Sequence, residues 1–275
     1  MNDLLNGRVT ALETKIWAHR GSSHKYIENS LAAFEQAIED QADGIELDVQ
    51  RTKDGKLVVV HDENLKRLTG VDRFVWEMTW DEMKDLSLSS KVASSTSSEA
   101  SNTKIPCLQE VLLLLRETDL VINIELKNSL HFYPGMEEEV IQAVKDNGVE
   151  TQVYYSSFNH QSVNRLSQLV GAEYCGLLSW DIIFEPWDYL KAVGADAFHP
   201  MINSLQLTDL VVNCQERGIK VHTWTADQEA HIYAALLFGV DAIITNKPEK
   251  AVALRKQFIE DGGRKAMEAV KTLGF

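Results

Sequence analysis

Five segments in the second half of the chain share one pattern: GVETQVYYSSF (148–158), GAEYCGLLS (171–179), GADAFHP (194–200), GIKVHTWT (218–225) and GVDAIITN (239–246). Each begins with a glycine and runs into a short apolar stretch rich in β-branched or aromatic residues. The glycines are 23, 23, 24 and 21 residues apart. A helical pattern fills most of each interval, and the glycine supplies the left-handed backbone that ends a helix. The repeat therefore predicts helices that alternate with strands.

The same template extends into the first half of the chain, where Gly44 precedes IELDV and a strand-like run, IWAHRG (16–21), comes before a helical stripe. Strands that alternate with helices form a parallel sheet that is buried on both faces. The predicted strands are 15–20, 44–50, 120–126, 152–157, 173–178, 195–199, 219–224 and 240–245. Eight such units predict an α/β fold, the closed (β/α)8 TIM barrel.

A ninth apolar run, LVVVHD (57–62), does not fit the repeat. The segment 51–56 is too short for a crossover helix, and its Asp54–Gly55 pair predicts a tight hairpin turn. We therefore expect 57–62 to fold back antiparallel to the second strand. Residues 62–118 are predicted to be an insertion within a single domain of residues 1–275, with a mobile Ser-rich loop at 89–103.

Composition excludes several classes of protein. The 275 residues include 27 Lys and Arg against 41 Asp and Glu, a net charge of −14, which argues against binding nucleic acid or an anionic bilayer. The three cysteines form no CxxC pair and predict reduced thiols. The N-terminus lacks the pattern of a secretory signal, and no apolar run reaches the length of a membrane helix. We expect a cytoplasmic protein without stable membrane insertion; its oligomeric state is left open.

Acidic side chains follow the predicted strands at the end where TIM barrels build their active sites. Glu46 and Asp48 lie on one face of the second strand, and Glu125 lies near the end of the third. Carboxylates directed into a barrel are costly unless they are paired or bind a metal. Their oxygens predict a divalent cation, Mg²⁺ or Ca²⁺. The alternative is an ion-pair cluster with Arg20 and Lys127 and no metal.

Arg20 and Lys127 would otherwise hold an anionic group such as a phosphate. His19 and His61 are candidates for a general acid and a general base, because imidazole titrates near neutral pH. Each of them alone has a structural alternative, as does His199, for which the structural role is favoured.

Three further polar or aromatic residues stand near strand ends. Asp62 is expected to cap a turn or to orient a neighbour, and capping is favoured. Phe158 and Trp224 are predicted either to line a substrate wall or to pack in the core.

An ordered set of motifs resembles the glycerophosphodiester phosphodiesterase family from about residue 16 to residue 250. The motifs are AHRG (18–21), IENSLAAFEQAI (27–38), DGIELDVQRTKDGKLVVVHDENLKRLTG (43–70), IPCLQEVL (105–112), NIELK (123–127), YYSSF (154–158), WT (224–225) and GVDAIITNKPE (239–249). The resemblance implies a (β/α)8 barrel with a small insertion after the second strand and a divalent cation. By motif it assigns His19 and His61 as acid and base, and Glu46, Asp48 and Glu125 as metal ligands. Arg20 and Lys127 would contact phosphate, supported by Glu28 and Asn29.

The predicted function is metal-dependent hydrolysis of small glycerophosphodiesters to an alcohol and sn-glycerol 3-phosphate. His19 is favoured as base and His61 as acid, and the nucleophile is either water or the glycerol hydroxyl beside the phosphate. One alternative is a phospholipase D-like or lyase activity on lysolipids that gives a cyclic phosphate. An apolar loop at the barrel mouth would favour that activity, whereas the Ser-rich loop favours small soluble substrates. The other alternative is a barrel that binds a phosphodiester without turnover.

Overall fold

The computed structural model describes residues 13–89, 103–207 and 209–271. Its strands are β1 Lys15–His19, β2 Gly44–Arg51, β3 Leu57–Val59, β4 Val121–Leu126, β5 Val153–Ser157, β6 Cys175–Ser179, β7 Ala197–Pro200, β8 Lys220–Thr223 and β9 Ala242–Thr245. The strand order is β1-β9-β8-β7-β6-β5-β4-β2-β3, and β1 also pairs with β2. All of these pairings except β2–β3 are parallel, so eight strands close into a barrel. The predicted (β/α)8 fold is confirmed.

Strand β3 returns antiparallel along β2, with Val49 opposite Val59 and Arg51 opposite Leu57. The backbone N–H of Gly55 donates to the Thr52 carbonyl in the turn between them. The hairpin predicted from Asp54 and Gly55 is therefore present. It matters for the site because it carries His61 back to the end of β2.

The helices follow the strands in the expected order. They are α1 Leu31–Glu39, α2 Lys66–Thr69, α3 Trp80–Met83, α4 Leu108–Leu115, α5 Met136–Asn147, α6 His160–Val170, α7 Pro186–Val193, α8 Leu210–Gln215, α9 Glu229–Phe238, α10 Pro248–Asp261 and α11 Arg264–Val270. Ser30 caps α1, where its side chain accepts a hydrogen bond from the Ala33 backbone N–H. Apolar faces of the helices cover the outside of the barrel and form one large buried cluster.

The segment between β3 and α4 forms a second apolar cluster beside the barrel. It contains α2, α3 and a short 3₁₀ helix, Val75–Glu77. Buried members of the cluster are Ile27, Val58, Val60, Leu65, Leu68, Val75, Met78, Met83, Leu88 and Ile105. The predicted Ser-rich loop at 89–103 falls mainly on residues 90–102, which lie outside the described residues.

A pair of buried histidines lies inside the barrel. His199 and His222 are 0% and 2% exposed, and Nδ1 of His222 lies 2.8 Å from Nε2 of His199. A Cβ on Gly176 would lie 2.2 Å from the His199 ring, so only glycine leaves room for it. Burial lowers the pKa of His199 to about 3, and burial together with His199 lowers the pKa of His222 well below its usual value. His199 thus lies in the barrel interior, in line with the structural role favoured from the sequence.

The structure also describes the cysteines and the length of the helices. Cys107, Cys175 and Cys214 are free and buried. Among the helices in the described part of the chain, none combines the length and the apolar character that crossing a membrane requires.

Candidate active site

The carboxyl ends of the barrel strands surround a cavity of about 360 Å³. This size falls within the range typical of small-molecule sites. Its lining combines charged groups at the floor with apolar and aromatic groups towards the mouth. The lining residues are His19, Arg20, Glu46, His61, Glu63, Asn123, Glu125, Lys127, Ser129, Leu130, Phe158, Leu178, Trp180, Trp224, Thr225 and Ile244.

Two carboxylates that line this cavity, Glu46 and Glu125, cluster with a third buried carboxylate, Asp48. Glu46, Asp48 and Glu125 are 4%, 1% and 7% exposed, and each offers an oxygen within 4.8 Å of the others. The strand register explains the cluster, since Asp48 is the β2 partner of Glu125 on β4. Burial, followed by the charges of Asp48 and Glu125, raises the pKa of Glu46 well above its usual value. Burial also raises the pKa of Glu125.

Two cations balance part of this negative charge. Arg20 Nε lies 3.3 Å from Asp48 Oδ2, and Lys127 Nζ lies 2.9 Å from Glu125 Oε1. Burial opposes ionisation of Asp48, but nearby cations, first of all Arg20, hold the pKa of this carboxyl well below its usual range. The ion pairs of the metal-free alternative are therefore present in the structure.

The ion pairs leave some carboxylate oxygens unsatisfied. Glu46 Oε1 and Asp48 Oδ1 are buried and have no hydrogen-bond partner among the described residues. A buried polar atom without a partner is costly, and two of them on converging carboxylates fit the oxygen ligands of a hard divalent cation. The residues present therefore fit a metal site at this position.

His19 is held by Asn246, which directly follows β9 and is itself held by Asp227. Its Nδ1 lies 2.7 Å from Asn246 Oδ1, and Asn246 Nδ2 donates to Asp227 Oδ2 at 2.6 Å. Because the amide nitrogen of Asn246 is directed to Asp227, its oxygen is left to accept from Nδ1–H of His19. This arrangement leaves Nε2 as the unprotonated nitrogen of a neutral ring, 3.8 Å from Glu46 Oε2. Burial, assisted by Arg20, lowers the pKa of His19 to about 4.

His61 has an anionic partner instead. Its Nδ1 donates to Asp62 Oδ1 at 2.8 Å. Of the two roles predicted for Asp62, capping a turn and orienting a neighbour, this contact corresponds to the second, which was the less favoured one. Arg67 Nε donates to the other oxygen of Asp62 at 2.5 Å.

Arg67 also reaches the phosphate-binding candidate Arg20 through Glu28. The guanidinium of Arg67 donates two hydrogen bonds to Glu28, of 2.7 and 2.8 Å, and Arg20 Nη1 donates to the same carboxylate at 2.8 Å. Asn29 Nδ2 donates to Asp48 Oδ2 at 2.8 Å. Glu28 and Asn29 thus act on the cavity by holding Arg20 and Asp48.

Aromatic residues form one wall of the cavity. Phe158 and Trp180 are stacked with ring centroids 5.5 Å apart, and Trp224 meets Trp180 edge-on at 4.6 Å. Lys127 Nζ lies 5.9 Å from the centre of the Phe158 ring. Phe158 and Trp224 therefore line the cavity, as one of their two predicted roles requires.

The site also contains Asn246, Asp227, Arg67 and Trp180, none of which was among the predicted site residues. Asn246 directly follows β9, so the strand-end rule that located His19 applies to it equally. Arg67 lies on a four-residue helix in the predicted insertion, where no periodicity ties it to the barrel. Its contacts depend on how that segment folds back over the hairpin.

Comparisons with known proteins identify the family of this chain. Residues 19–250 match the model of the "Glycerophosphoryl diester phosphodiesterase family". A glycerophosphodiester phosphodiesterase of Bacillus altitudinis is 40% identical over 89% of this chain and 99% of the relative. A protein of the same name from Caldanaerobacter subterraneus is 39% identical over 88% of this chain and 98% of the relative.

One solved structure, a phosphodiesterase of Oleispira antarctica in complex with its product sn-glycerol-3-phosphate, shares the fold. It has a TM-score of 0.77 and 24% sequence identity, and the match covers 90% of this chain and 98% of that one. The family match and the two relatives confirm the resemblance inferred from the motifs and the prediction of an enzyme. The chain belongs to the glycerophosphoryl diester phosphodiesterase family.

Proposed function

We propose that the protein hydrolyses glycerophosphodiesters to an alcohol and sn-glycerol 3-phosphate, with a divalent cation held by Glu46, Asp48 and Glu125. One observation carries the proposal: three buried carboxylates converge, and two of them, Glu46 and Glu125, line a single cavity with two histidines, an arginine and a lysine. The all-oxygen ligand set favours Mg²⁺ or Ca²⁺. When bound, such a cation offsets the carboxylate charge and polarises a phosphate oxygen.

Arg20 and Lys127 supply the remaining positive charge for the phosphate. Arg20 is held by Glu28 and Asp48, so its planar fork is fixed before the substrate arrives. Lys127 lies between Glu125 and the Phe158 ring. Preorganised charge of this kind is the largest contribution to many phosphoryl transfers.

The partners of the two histidines support different roles for them. His19 presents an unprotonated Nε2 because the Asn246 oxygen accepts from its Nδ1–H, so His19 is suited to take the proton of the attacking oxygen. His61 has the Asp62 carboxylate behind it, and an anionic partner suits a ring that must hold a proton and donate it to the leaving alcohol. In this step the attacking oxygen bonds to phosphorus while the bond from phosphorus to the alcohol oxygen breaks.

Chelation tests the metal part of the proposal. We expect hydrolysis of glycerophosphocholine to stop after treatment with EDTA and to return when Mg²⁺ or Ca²⁺ is added in excess. Activity that persists after thorough chelation would contradict the metal requirement. Product analysis identifies the attacking oxygen, because attack by the glycerol hydroxyl releases a cyclic phosphate before any hydrolysis.

The histidine roles have a separate test. His19→Ala and His61→Ala should each lower kcat by about 10²- to 10⁴-fold, since each removes one proton transfer. Binding of sn-glycerol 3-phosphate, measured by calorimetry, should remain. Full turnover by either variant would show that the ring has a structural role only.

A further inference from the structure

The cavity continues outward into an exposed apolar surface on two loops. The loop after β4 carries Leu130 and Phe132, which are 71% and 63% exposed. The loop after β6 carries Trp180, Ile182 and Phe184, which are 62%, 57% and 86% exposed. Among residues 13–89, 103–207 and 209–271, every large apolar side chain that is more than half exposed lies on one of these two loops. We refer to these five residues as the apolar rim.

The apolar rim is joined to the phosphate-binding end of the cavity. Leu130 and Trp180 belong to the rim and also line the cavity. Trp180 stacks on Phe158, and Lys127 Nζ lies over the Phe158 ring. A continuous series of contacts thus leads from the Lys127 ammonium group through Phe158 to Trp180 in the apolar rim.

The loops hold their apolar groups outward by specific contacts. His131, between Leu130 and Phe132, stacks on Trp76 with ring centroids 4.3 Å apart, and its edge meets Tyr133. In the other loop the Ser179 hydroxyl makes hydrogen bonds of 3.0 Å with both the backbone N–H and the carbonyl of Asp181, which fixes the turn at Trp180. Anchored apolar surface of this extent marks a ligand or partner site in a soluble protein.

The shape of the wall favours an extended apolar chain over a compact cation. The rings of Phe158, Trp180 and Trp224 have centroids 4.6–5.5 Å apart, so they pack against one another. Phe158 and Trp180 are stacked and Trp224 meets both of them edge-on, at distances too short for a quaternary ammonium group to lie between the rings. The net charge of −14 also disfavours an anionic lipid surface as the occupant.

We infer that the apolar rim is a subsite for the single acyl chain of a lysophospholipid whose phosphodiester occupies the charged floor. This inference rests on the proposed function, since the same hydrolysis then releases the headgroup alcohol and leaves a lysophosphatidic acid. Arg20 and Lys127 match the phosphate, and the rim removes the chain from water. In the sequence, the Ser-rich loop favours small soluble substrates, and an apolar loop at the barrel mouth would favour a lysolipid. The loops after β4 and β6 are apolar loops of this second kind.

The test compares glycerophosphocholine with lysophosphatidylcholines of increasing acyl-chain length, each below its critical micelle concentration. We expect kcat/KM of the unmodified protein to rise by about two- to fourfold for each methylene that the rim covers. The double variant Phe132→Ser/Phe184→Ser should flatten this dependence on chain length and leave glycerophosphocholine hydrolysis unchanged. Leu169→Ser, an equally polar change at a 47% exposed position near the end of α6, is the matched control and should behave like the unmodified protein.

Binding is measured in parallel by tryptophan fluorescence, so that the rim is tested even without turnover. Hydrolysis of glycerophosphocholine with no gain from longer chains, or an unchanged chain-length dependence in the double variant, overturns the subsite. Activity that appears only above the critical micelle concentration overturns it in favour of docking on a lipid surface. Chain-length-dependent binding without hydrolysis of any substrate would support the subsite and contradict the proposed function instead.

Discussion

Asn246 determines which nitrogen of His19 faces the cavity, although 227 positions separate the two residues. Replacing it with alanine removes the acceptor of Nδ1–H and frees the ring to change tautomer and orientation. We expect Asn246→Ala to lower kcat for glycerophosphocholine by about 10- to 100-fold, with a smaller change in KM. Steady-state kinetics of the variant measure this loss.

A double variant distinguishes action through His19 from general damage. In a His19→Ala background, Asn246→Ala should cause little further loss, because its effect has already been removed. Additive losses would contradict the positioning role. Asn213→Ala removes a surface asparagine that bonds within its own helix, and it should leave kcat unchanged.

Arg67 connects the two ends of the proposed phosphate site, since it binds Asp62 behind His61 and Glu28 behind Arg20. Arg67→Met should therefore both lower kcat and raise KM, with a combined loss in kcat/KM of about 10- to 100-fold. Arg67→Lys keeps the positive charge but lacks the planar fork that reaches both Glu28 and Asp62, so its kcat/KM should fall between those of Arg67→Met and the unmodified protein. Arg73→Met is the control, because Arg73 bonds to Glu82 within the same segment. Equal effects of the two methionine variants would argue for a loss of folding.

At the scale of elements, β7 and β8 carry the buried pair His199 and His222 into the barrel. The pKa of both rings is lowered in the folded state, so the unfolded chain binds more protons below the usual value of 6.5. The contribution of the two neutral rings to the free energy of unfolding is therefore fully present above that pH, and it is lost as the pH falls towards about 3. Between pH 7 and pH 5 the two rings together should remove up to about 4 kcal/mol from the free energy of unfolding.

Urea unfolding at the two pH values checks this contribution. His222→Asn should lower stability at pH 7 but reduce the loss between pH 7 and pH 5 by about half. Tyr154→Phe, which alters a residue in ring contact with His222, should lower stability equally at both pH values. If His222→Asn lost as much free energy of unfolding between pH 7 and pH 5 as the unmodified protein does, the His222 ring would not be the cause of that loss.

The order and bounds of the strands could be predicted because each element has a local signal. A glycine ends α5, α6, α7 and α9, a strand-forming run follows each of them, and a short Asp54–Gly55 turn excludes a crossover before β3. The candidate metal cluster could be predicted for the same reason, since side-chain alternation and parallel register bring Asp48 beside Glu125. Contacts made by loops follow no comparable sequence pattern. Arg67 and the apolar rim depend on how loops fold over the barrel mouth, and neither has a local signal.

At the scale of the whole molecule, closure of the barrel forces three carboxylates together in a protein whose net charge is already −14. Stability and metal binding should therefore be coupled. At about 100 times its Kd, a bound cation adds about 2.7 kcal/mol to the free energy of unfolding. For a domain of this size that gain raises Tm by roughly 5–10 °C. Calorimetry of the EDTA-treated protein, with and without Mg²⁺ or Ca²⁺, measures the shift independently of activity.

Glu46→Gln separates a metal site from an ion-pair cluster. Without metal the variant should melt above the unmodified protein, because a buried carboxylate beside Asp48 and Glu125 has been replaced by a neutral amide. With metal it should lose most of the stabilisation, because one ligand no longer carries charge. Glu216→Gln, an exposed change on the surface, should alter stability by less than about 0.5 kcal/mol and retain the full response to metal. If neither cation raised the Tm of the unmodified protein, the three carboxylates would be balanced by Arg20 and Lys127 alone.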